Sequence, residues 1–324
     1  MAIFRLPPIA DFDGAGSGWG FYLCAQKELR PTKAGGQFLA LTLQDATGEL
    51  PAKVFDGAES LATQFDKGDF VKVQGRGNVY KGQVELVIEN IRRVVPARDA
   101  ADGFAEEDCI RSAPRPIAEM WRELEAHVAG VRRSEIKALL GRVLDTHGAR
   151  LKIWPAAVTV HHAYRGGLLE HILKIIDVGT TLADLYQADR DMIVAGAILH
   201  DLGKTEELTY EGATGYSVSG NLVGHIAIGL GMLRDAIRQD PSFPDQTRLE
   251  LEHLVLSHHG EREHGSPVLP MTIEAFLFSV VDDLDAKMFQ IRRHIADDNG
   301  DGPFTQFSKR LDRVFMKPPA PKGE

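Results

Sequence analysis

His200 and Asp201, adjacent in the run GAILHDLGK, put an imidazole and a carboxylate at the end of an apolar stretch. Further groups able to bind metal lie around them at wide, helix-sized intervals: His171 closing GGLLEH, His225 after Gly224, the pair His258 and His259 in SHHG, and Asp282 in VDDLDAK. Imidazole and carboxylate suit first-row transition ions such as Mn, Fe, Co, Ni or Zn. Brought together from several helices, they would form a hydrolytic metal centre. Metal there would lower the pKa of water and neutralise charge building on phosphoryl oxygens, so phosphoester hydrolysis is the leading chemistry.

The elements that must position these groups read as helices. His171 sits among Leu168, Leu169, Ile172, Leu173, Ile175 and Ile176 at helical spacing, which turns it toward a buried face. His200 and Asp201 close the apolar run Met192 to Leu199, and Gly203 is expected to stop that helix. A lone histidine beside apolar residues is more often a packed or surface residue than a ligand. The ordered set shifts the balance, because a carboxylate such as Asp201 at the inner end of an apolar helix is costly to bury unless paired or bound to metal. Helical patterning begins at Ile117, with Trp121, Leu124 and Val128, then Ile136, Leu139, Leu140 and Val143, and it continues through the metal candidates.

The series His161-His162-Ala163-Tyr164, Gly166-Gly167-Leu168-Leu169-Glu170-His171, Leu256-Ser257-His258-His259-Gly260, Gly265-Ser266-Pro267-Val268 and Asp282 through Asp285-Ala286-Lys287 resembles the HD-domain metal-dependent phosphohydrolases. Among them it is most similar to the YhaM-type 3′-5′ exoribonucleases. The resemblance implies that Asp201 is the central catalytic carboxylate and bridges two ions. His171, His200 and Asp282 would complete one shell, and His225, His258 and His259 the other. A one-ion form holding His171, His200, Asp201 and Asp282 stays open, with the other histidines on substrate phosphate. Lys204 is either a catalytic contact to phosphate and the leaving oxygen or a helix-end cap. Asp285 would orient a ligand histidine from behind or pair with Lys287, and Asp283 would face solvent. By the same resemblance His161 and His162 are substrate contacts.

Upstream the pattern is that of strands: Trp19 to Ala25, Phe38 to Leu43, Leu50 to Phe55, Phe70 to Gly75 and Gln83 to Ile88. A short amphipathic stretch with Ala58, Leu61, Ala62 and Phe65 lies between the third and fourth. That is the order of an OB-fold barrel, and the segment resembles the OB domains ahead of the HD domain in YhaM-type enzymes. Such barrels stack single-stranded bases on aromatics beside a cationic groove. Phe38, Phe55 and Tyr80 are the candidate platforms, with Lys53, Lys72, Arg76 and Lys81 for phosphates. For each the competing reading is a core aromatic or an ordinary solvated lysine.

The fold class is therefore multidomain: a small all-β OB-fold barrel over residues 1–95, a small, acidic, proline-containing linker over 96–116, an all-α HD-domain bundle over 117–316, and a mobile tail over 317–324. The net charge of −9 argues against coating nucleic acid by bulk charge, while leaving room for a local basic groove. Cys24 and Cys109 are the only cysteines, too few for a disulfide framework or a cysteine zinc site. The first residues lack the apolar core of a secretory signal, and no run approaches membrane-spanning length, so a cytoplasmic enzyme is expected. The expected activity is a metal-dependent 3′-5′ exonuclease acting on single-stranded RNA, with single-stranded DNA also in scope, and releasing nucleoside 5′-monophosphates. Its expected ion is Mn²⁺, with Co, Fe, Ni or Zn as alternatives. Strand polarity, product and assembly into a homo-oligomer rest on the resemblance alone. The rivals are an HD phosphohydrolase of small nucleotides or cyclic dinucleotides, and a non-enzymatic RNA-binding protein with a structural or sensory metal site.

Overall fold

Alternating apolar residues at Leu39, Leu41 and Leu43, and at Val71 and Val73, give strands that bury one face each. The computed structural model describes residues 4–32, 35–80, 82–158, 162–211 and 213–318. It divides into two compact units, Met1–Pro114 with Thr209–Gly215 and Arg115–Leu208 with Tyr216–Glu324.

The first unit is the barrel. Its elements are β1 (Phe4–Arg5), β2 (Ser17–Pro31), β3 (Gln37–Gln44), β4 (Glu49–Val54), α1 (Ala58–Ala62), β5 (Phe70–Tyr80) and β6 (Gln83–Arg93). The sheet runs β1-β2-β3-β4-β6-β5, and pairing of β2 with β5 closes it. β2 serves two neighbours: Ser17 to Leu23 pair with β5, and Leu23 to Pro31 pair with β3. An irregularity between Cys24 and Gln26 lets the strand bend from one partner to the other. The sequence-predicted strand Trp19 to Ala25 captures only the apolar half, because Gln26 to Arg30 carry polar side chains throughout their paired length except Leu29.

Residues 96–116 depart from the expected linker. Up to Pro114 they belong to the barrel's unit and contain α2 (Pro96–Asp99) and α3 (Glu106–Cys109), with Cys109 buried beside Phe21 and Val94. Asp99 is buried and accepts from Arg92 Nη1 at 2.8 Å, Arg92 Nη2 at 2.5 Å and the Val95 N–H at 2.8 Å. An acidic residue that reads as solvated in sequence is thus captured by an arginine of β6.

The second unit is helical: α4 (Ile117–Ala129), α5 (Ser134–Ile153), α6 (Gly167–Tyr186), α7 (Arg190–Leu199), α8 (Lys204–Glu207), α9 (Val218–Val223), α10 (His225–Arg238), α11 (Asp245–Ser257) and α12 (Ile273–Ala296). Between α8 and α9 the chain leaves this unit for a hairpin, β7 (Leu208–Glu211) with β8 (Ala213–Tyr216), whose residues Thr209–Gly215 count with the first unit. From Asp191 to Leu199 every residue of α7 is buried, as suits a helix apolar on all sides. Its start is capped by the Asp189 carboxylate, which accepts from the Asp191 N–H. α6 and α12 pack on it and on each other.

Gly203 does not end α7 as a left-handed stop. Its φ is −60°, and a Cβ there would lie 2.0 Å from the His225 carbonyl oxygen. The glycine is needed because the end of α7 abuts the start of α10. The predicted mobile tail begins anchored: Lys317 pairs with Asp298 at 2.5 Å and its N–H donates to the Pro303 carbonyl at 2.8 Å. Residues 319–324 lie outside the described residues. Among the described residues, no helix is long and apolar enough to cross a membrane.

Candidate metal centre and nucleic-acid groove

Five helices deliver side chains to one buried place. α6 brings His171, the end of α7 brings His200 and Asp201, α10 begins with His225, α11 ends before His258 and His259, and α12 carries Asp282. The Asp201 carboxylate lies between two groups. Its Oδ2 is 3.2 Å from His200 Nε2 and 3.9 Å from His171 Nε2, while its Oδ1 is 3.6 Å from His225 Nε2 and 3.9 Å from His258 Nε2. Asp282 Oδ1 stands 3.2 Å from His171 Nε2 and 3.8 Å from His200 Nε2. Ligand atoms of His171, His200 and Asp282 lie within 4.8 Å of one another, and so do those of His225, His258 and His259.

The far nitrogen of these rings is held from behind, which aims Nε2 inward. His200 Nδ1 is 3.1 Å from the Ala197 carbonyl oxygen, His258 Nδ1 is 2.7 Å from that of Val255, and His259 Nδ1 is 2.8 Å from that of His264. His171 Nδ1 meets Asp285 Oδ2 at 2.8 Å. Asp285 therefore stands behind a histidine, while Lys287 pairs with Asp283 at 2.6 Å. Among the described residues no hydrogen bond reaches the buried Nε2 atoms of His200, His225 and His258 or Oδ1 of Asp201. Buried polar atoms without hydrogen bonds are rare, and the His225 and His258 Nε2 atoms facing Asp201 Oδ1 at 3.6 and 3.9 Å fit a centre built for cations.

Electrostatics agree. Burial alone would raise the Asp201 pKa, but Lys204 and His200 hold it well below the usual carboxylate range. Burial opposes the lowering of Asp282 too, and His171 and His200 outweigh it. Burial disfavours the His171 cation, yet Asp282 and Asp285 push its pKa up to about 9. Burial followed by His200 drives His258 well below its ordinary value, and burial followed by His225 lowers His259. At neutral pH the carboxylates are thus ionised and His258 and His259 neutral, the forms that ligate metal, while His171 holds a proton that a bound cation would have to displace. Lys204 Nζ sits 2.6 Å from Asp201 Oδ2.

His162, expected at the substrate, has a different place. It is 5% exposed, with Nδ1 3.0 Å from Glu170 Oε2 and from the Tyr164 hydroxyl and with Nε2 3.3 Å from Asp285 Oδ2. Its ring packs on Phe289. Gly167 admits it, since a Cβ there would meet the His162 carbonyl oxygen at 1.9 Å. His162 thus links Glu170 to Asp285 and His171 rather than lining an open face. His161 lies outside the described residues. Glu207, not singled out in sequence, accepts from the His225 N–H at 3.0 Å and faces its Nδ1 at 3.3 Å. No local signal marks it, because α8 meets α10 only after the intervening hairpin.

On the barrel, Phe38, Lys53, Phe55, Arg76 and Tyr80 line one groove of about 740 Å³ together with Asn78 and Glu85. Phe38 and Phe55 stack with ring centroids 5.7 Å apart, and Phe55 and Tyr80 are half exposed. Lys53 lies over the Tyr80 ring at 5.2 Å and is paired with Glu85. Lys72 is not part of this groove. It lies 4.6 Å above the Trp19 ring and pairs with Asp102 at 2.5 Å, so its charge is already met. Lys81 lies outside the described residues.

Residues 168–287 match the family described as HD domain, and residues 25–94 match the family described as OB-fold nucleic acid binding domain. Barrel and metal-ligand cluster together define the class: an OB-fold barrel followed by a helical HD domain. The chain is similar to the 3′-5′ exoribonuclease YhaM of Bacillus subtilis (strain 168), with 34% identity over 300 residues covering 92% of this chain and 94% of that protein. It is likewise similar to the 3′-5′ exoribonuclease YhaM of Bacillus velezensis, with 35% identity over 286 residues covering 88% and 89% of the two chains. The chain belongs to the YhaM 3′-5′ exoribonuclease family.

Proposed function

We propose that this chain is a divalent-metal-dependent exonuclease that shortens single-stranded RNA from its 3′ end and releases nucleoside 5′-monophosphates. The observation that carries the reading is Asp201, whose two carboxylate oxygens face two separate groups of ligand atoms. Divalent ions held by His171, His200 and Asp282 on one side and by His225, His258 and His259 on the other, with Asp201 shared, would supply Lewis acidity to the phosphodiester and its attacking water. We assign Mn²⁺, with Co, Fe, Ni and Zn compatible with the same donors.

The chain's own groups supply the rest. Asp201 and Asp282 hold negative charge in a buried place. To Lys204, whose Nζ pairs with Asp201 Oδ2, falls the donation of a proton to the departing 3′ oxygen of the upstream nucleotide, which leaves the 5′ phosphate on the released residue. Phe38, Phe55 and Tyr80 offer stacking faces to bases, and Arg76 a cation to phosphate. Stacking and phosphate contacts do not require a 2′-hydroxyl, so single-stranded DNA is included in the proposal. A cytoplasmic setting is supported by the free, buried Cys24 and Cys109. Assembly into a homo-oligomer is supported by α12, whose Ile273, Phe276, Val280, Leu284 and Met288 are 40–63% exposed along one stripe.

Chromatography of the products from single-stranded RNA and, separately, from a cyclic dinucleotide tests this reading. Nucleoside 5′-monophosphates from RNA, formed with Mn²⁺ and abolished by chelator, are expected. Intact RNA beside a consumed cyclic dinucleotide would overturn it.

A further inference from the structure

The half of the centre built from His225, His258 and His259 contains imidazoles only, and two of its three rings are steadied by carbonyls of their own neighbourhood. His225 is the exception. It opens α10 directly after Gly224, whose φ is +76°, and its ring is steadied by a carboxylate from another helix.

That carboxylate is Glu207, and its surroundings leave it little freedom. Glu207 is 9% exposed. Its carbonyl accepts from the Ser217 N–H at 2.9 Å, and the Ser217 hydroxyl donates to the Glu206 carbonyl at 2.8 Å, so the residue that caps α9 clamps the end of α8. Gly220 presses on the same carbonyl, where a Cβ would come within 2.1 Å. From this fixed backbone a single oxygen, Oε1, takes the His225 N–H at 3.0 Å and faces ring Nδ1 at 3.3 Å. One atom therefore holds both the start of α10 and the ring, and the opposite nitrogen, Nε2, is left directed at Asp201 Oδ1, 3.6 Å away.

We infer that Glu207 is a positioning residue for one half of the centre: it fixes His225 so that the His225, His258 and His259 group binds an ion, and it has no part in the His171, His200 and Asp282 group. The inference rests on the two-ion reading given above. A carboxylate behind a ligand histidine orients the ring, and its loss typically weakens metal affinity by about 10- to 100-fold.

Mn²⁺ titrated calorimetrically into chelator-stripped full-length protein reads both halves at once. Wild type is expected to bind two ions. Glu207→Ala is expected to weaken one of them by about 10- to 100-fold while leaving the other at the wild-type affinity. Glu207→Gln keeps an acceptor oxygen for both N–H groups and is expected to recover a large part of the loss, which a role in folding alone would not produce at only one site. Thermal melting of each variant in chelator identifies a variant that has failed to fold. Two ions at wild-type affinity in Glu207→Ala, or an equal loss at both sites in a folded Glu207→Gln, would overturn the inference. Wild-type protein binding fewer than two ions would instead bring down the two-ion reading itself, and the inference with it.

Discussion

Lys204 Nζ lies 2.6 Å from Asp201 Oδ2, so the ammonium rests on the same carboxylate that stands between the two ligand groups. Both side chains are nearly buried, at 12% and 3% exposure. If the lysine acts on the leaving oxygen, Lys204→Ala should bind Mn²⁺ at least as well as wild type, because a competing cation is gone. Its kcat should fall by about 100-fold with little change in KM. Single-turnover kinetics alongside metal titration read both. Unchanged kcat would make Lys204 a structural partner of Asp201 only.

The chain Glu170, His162, Asp285, His171 has its own consequence. Because His162 is buried behind the centre, His162→Ala should leave RNA affinity of the metal-free protein unchanged. His162→Ala and Asp285→Asn should both weaken Mn²⁺ binding, by about 10-fold or more. Filter binding in chelator and metal titration separate the outcomes. Loss of RNA affinity in His162→Ala would restore it to the substrate.

For the barrel, Phe55→Ala and Tyr80→Ala should each weaken single-stranded RNA binding by about 1–3 kcal/mol, the worth of a stacked base. Lys72→Ala should have no such effect, since Asp102 and Trp19 already occupy its charge. Fluorescence anisotropy at fixed salt checks all three. Equal losses would mean that the strand follows a different path over the barrel.

The Arg92 side chain, opposed by burial, holds the Asp99 carboxyl well below the usual carboxylate range. A depressed folded-state value means that the pair's stabilisation is complete above the unfolded pKa of about 3.9 and is lost as pH falls through the lower folded value. Asp99→Asn should therefore be less stable than wild type by about 2 kcal/mol at pH 7, and the gap should narrow between pH 4 and the acid limit. Urea denaturation across that range measures it. A gap that does not change with pH would remove the ion pair as its cause.

How much of this was legible depends on whether partners are local. His200 with Asp201, and His258 with His259, stand at helix ends where sequence alone places them beside a core, and the resemblance supplied their companions. The barrel showed through Leu39, Leu41 and Leu43, whose alternation reflects one dry face. Glu207 and the contacts of His162 were not legible: Glu207 meets His225 only across the intervening hairpin, and His162, near Tyr164 and Glu170 in sequence, reaches Asp285 of α12 only in the fold. Gly203 reads as a helix stop by type, and only the closeness of His225 shows its packing role. Asp99 reads as linker until Arg92 is seen to hold it.

The central claim, that the Asp201 centre degrades RNA from its 3′ end, is tested most directly by a time course on single-stranded RNA labelled at the 5′ end. Wild type with Mn²⁺, wild type with chelator, and Asp201→Ala with Mn²⁺ are resolved on a sequencing gel. The account requires a ladder that shortens from the 3′ end in the first reaction and full-length RNA in the other two. Full-length RNA in all three, from wild type shown to bind Mn²⁺, or the same ladder from Asp201→Ala, would contradict it.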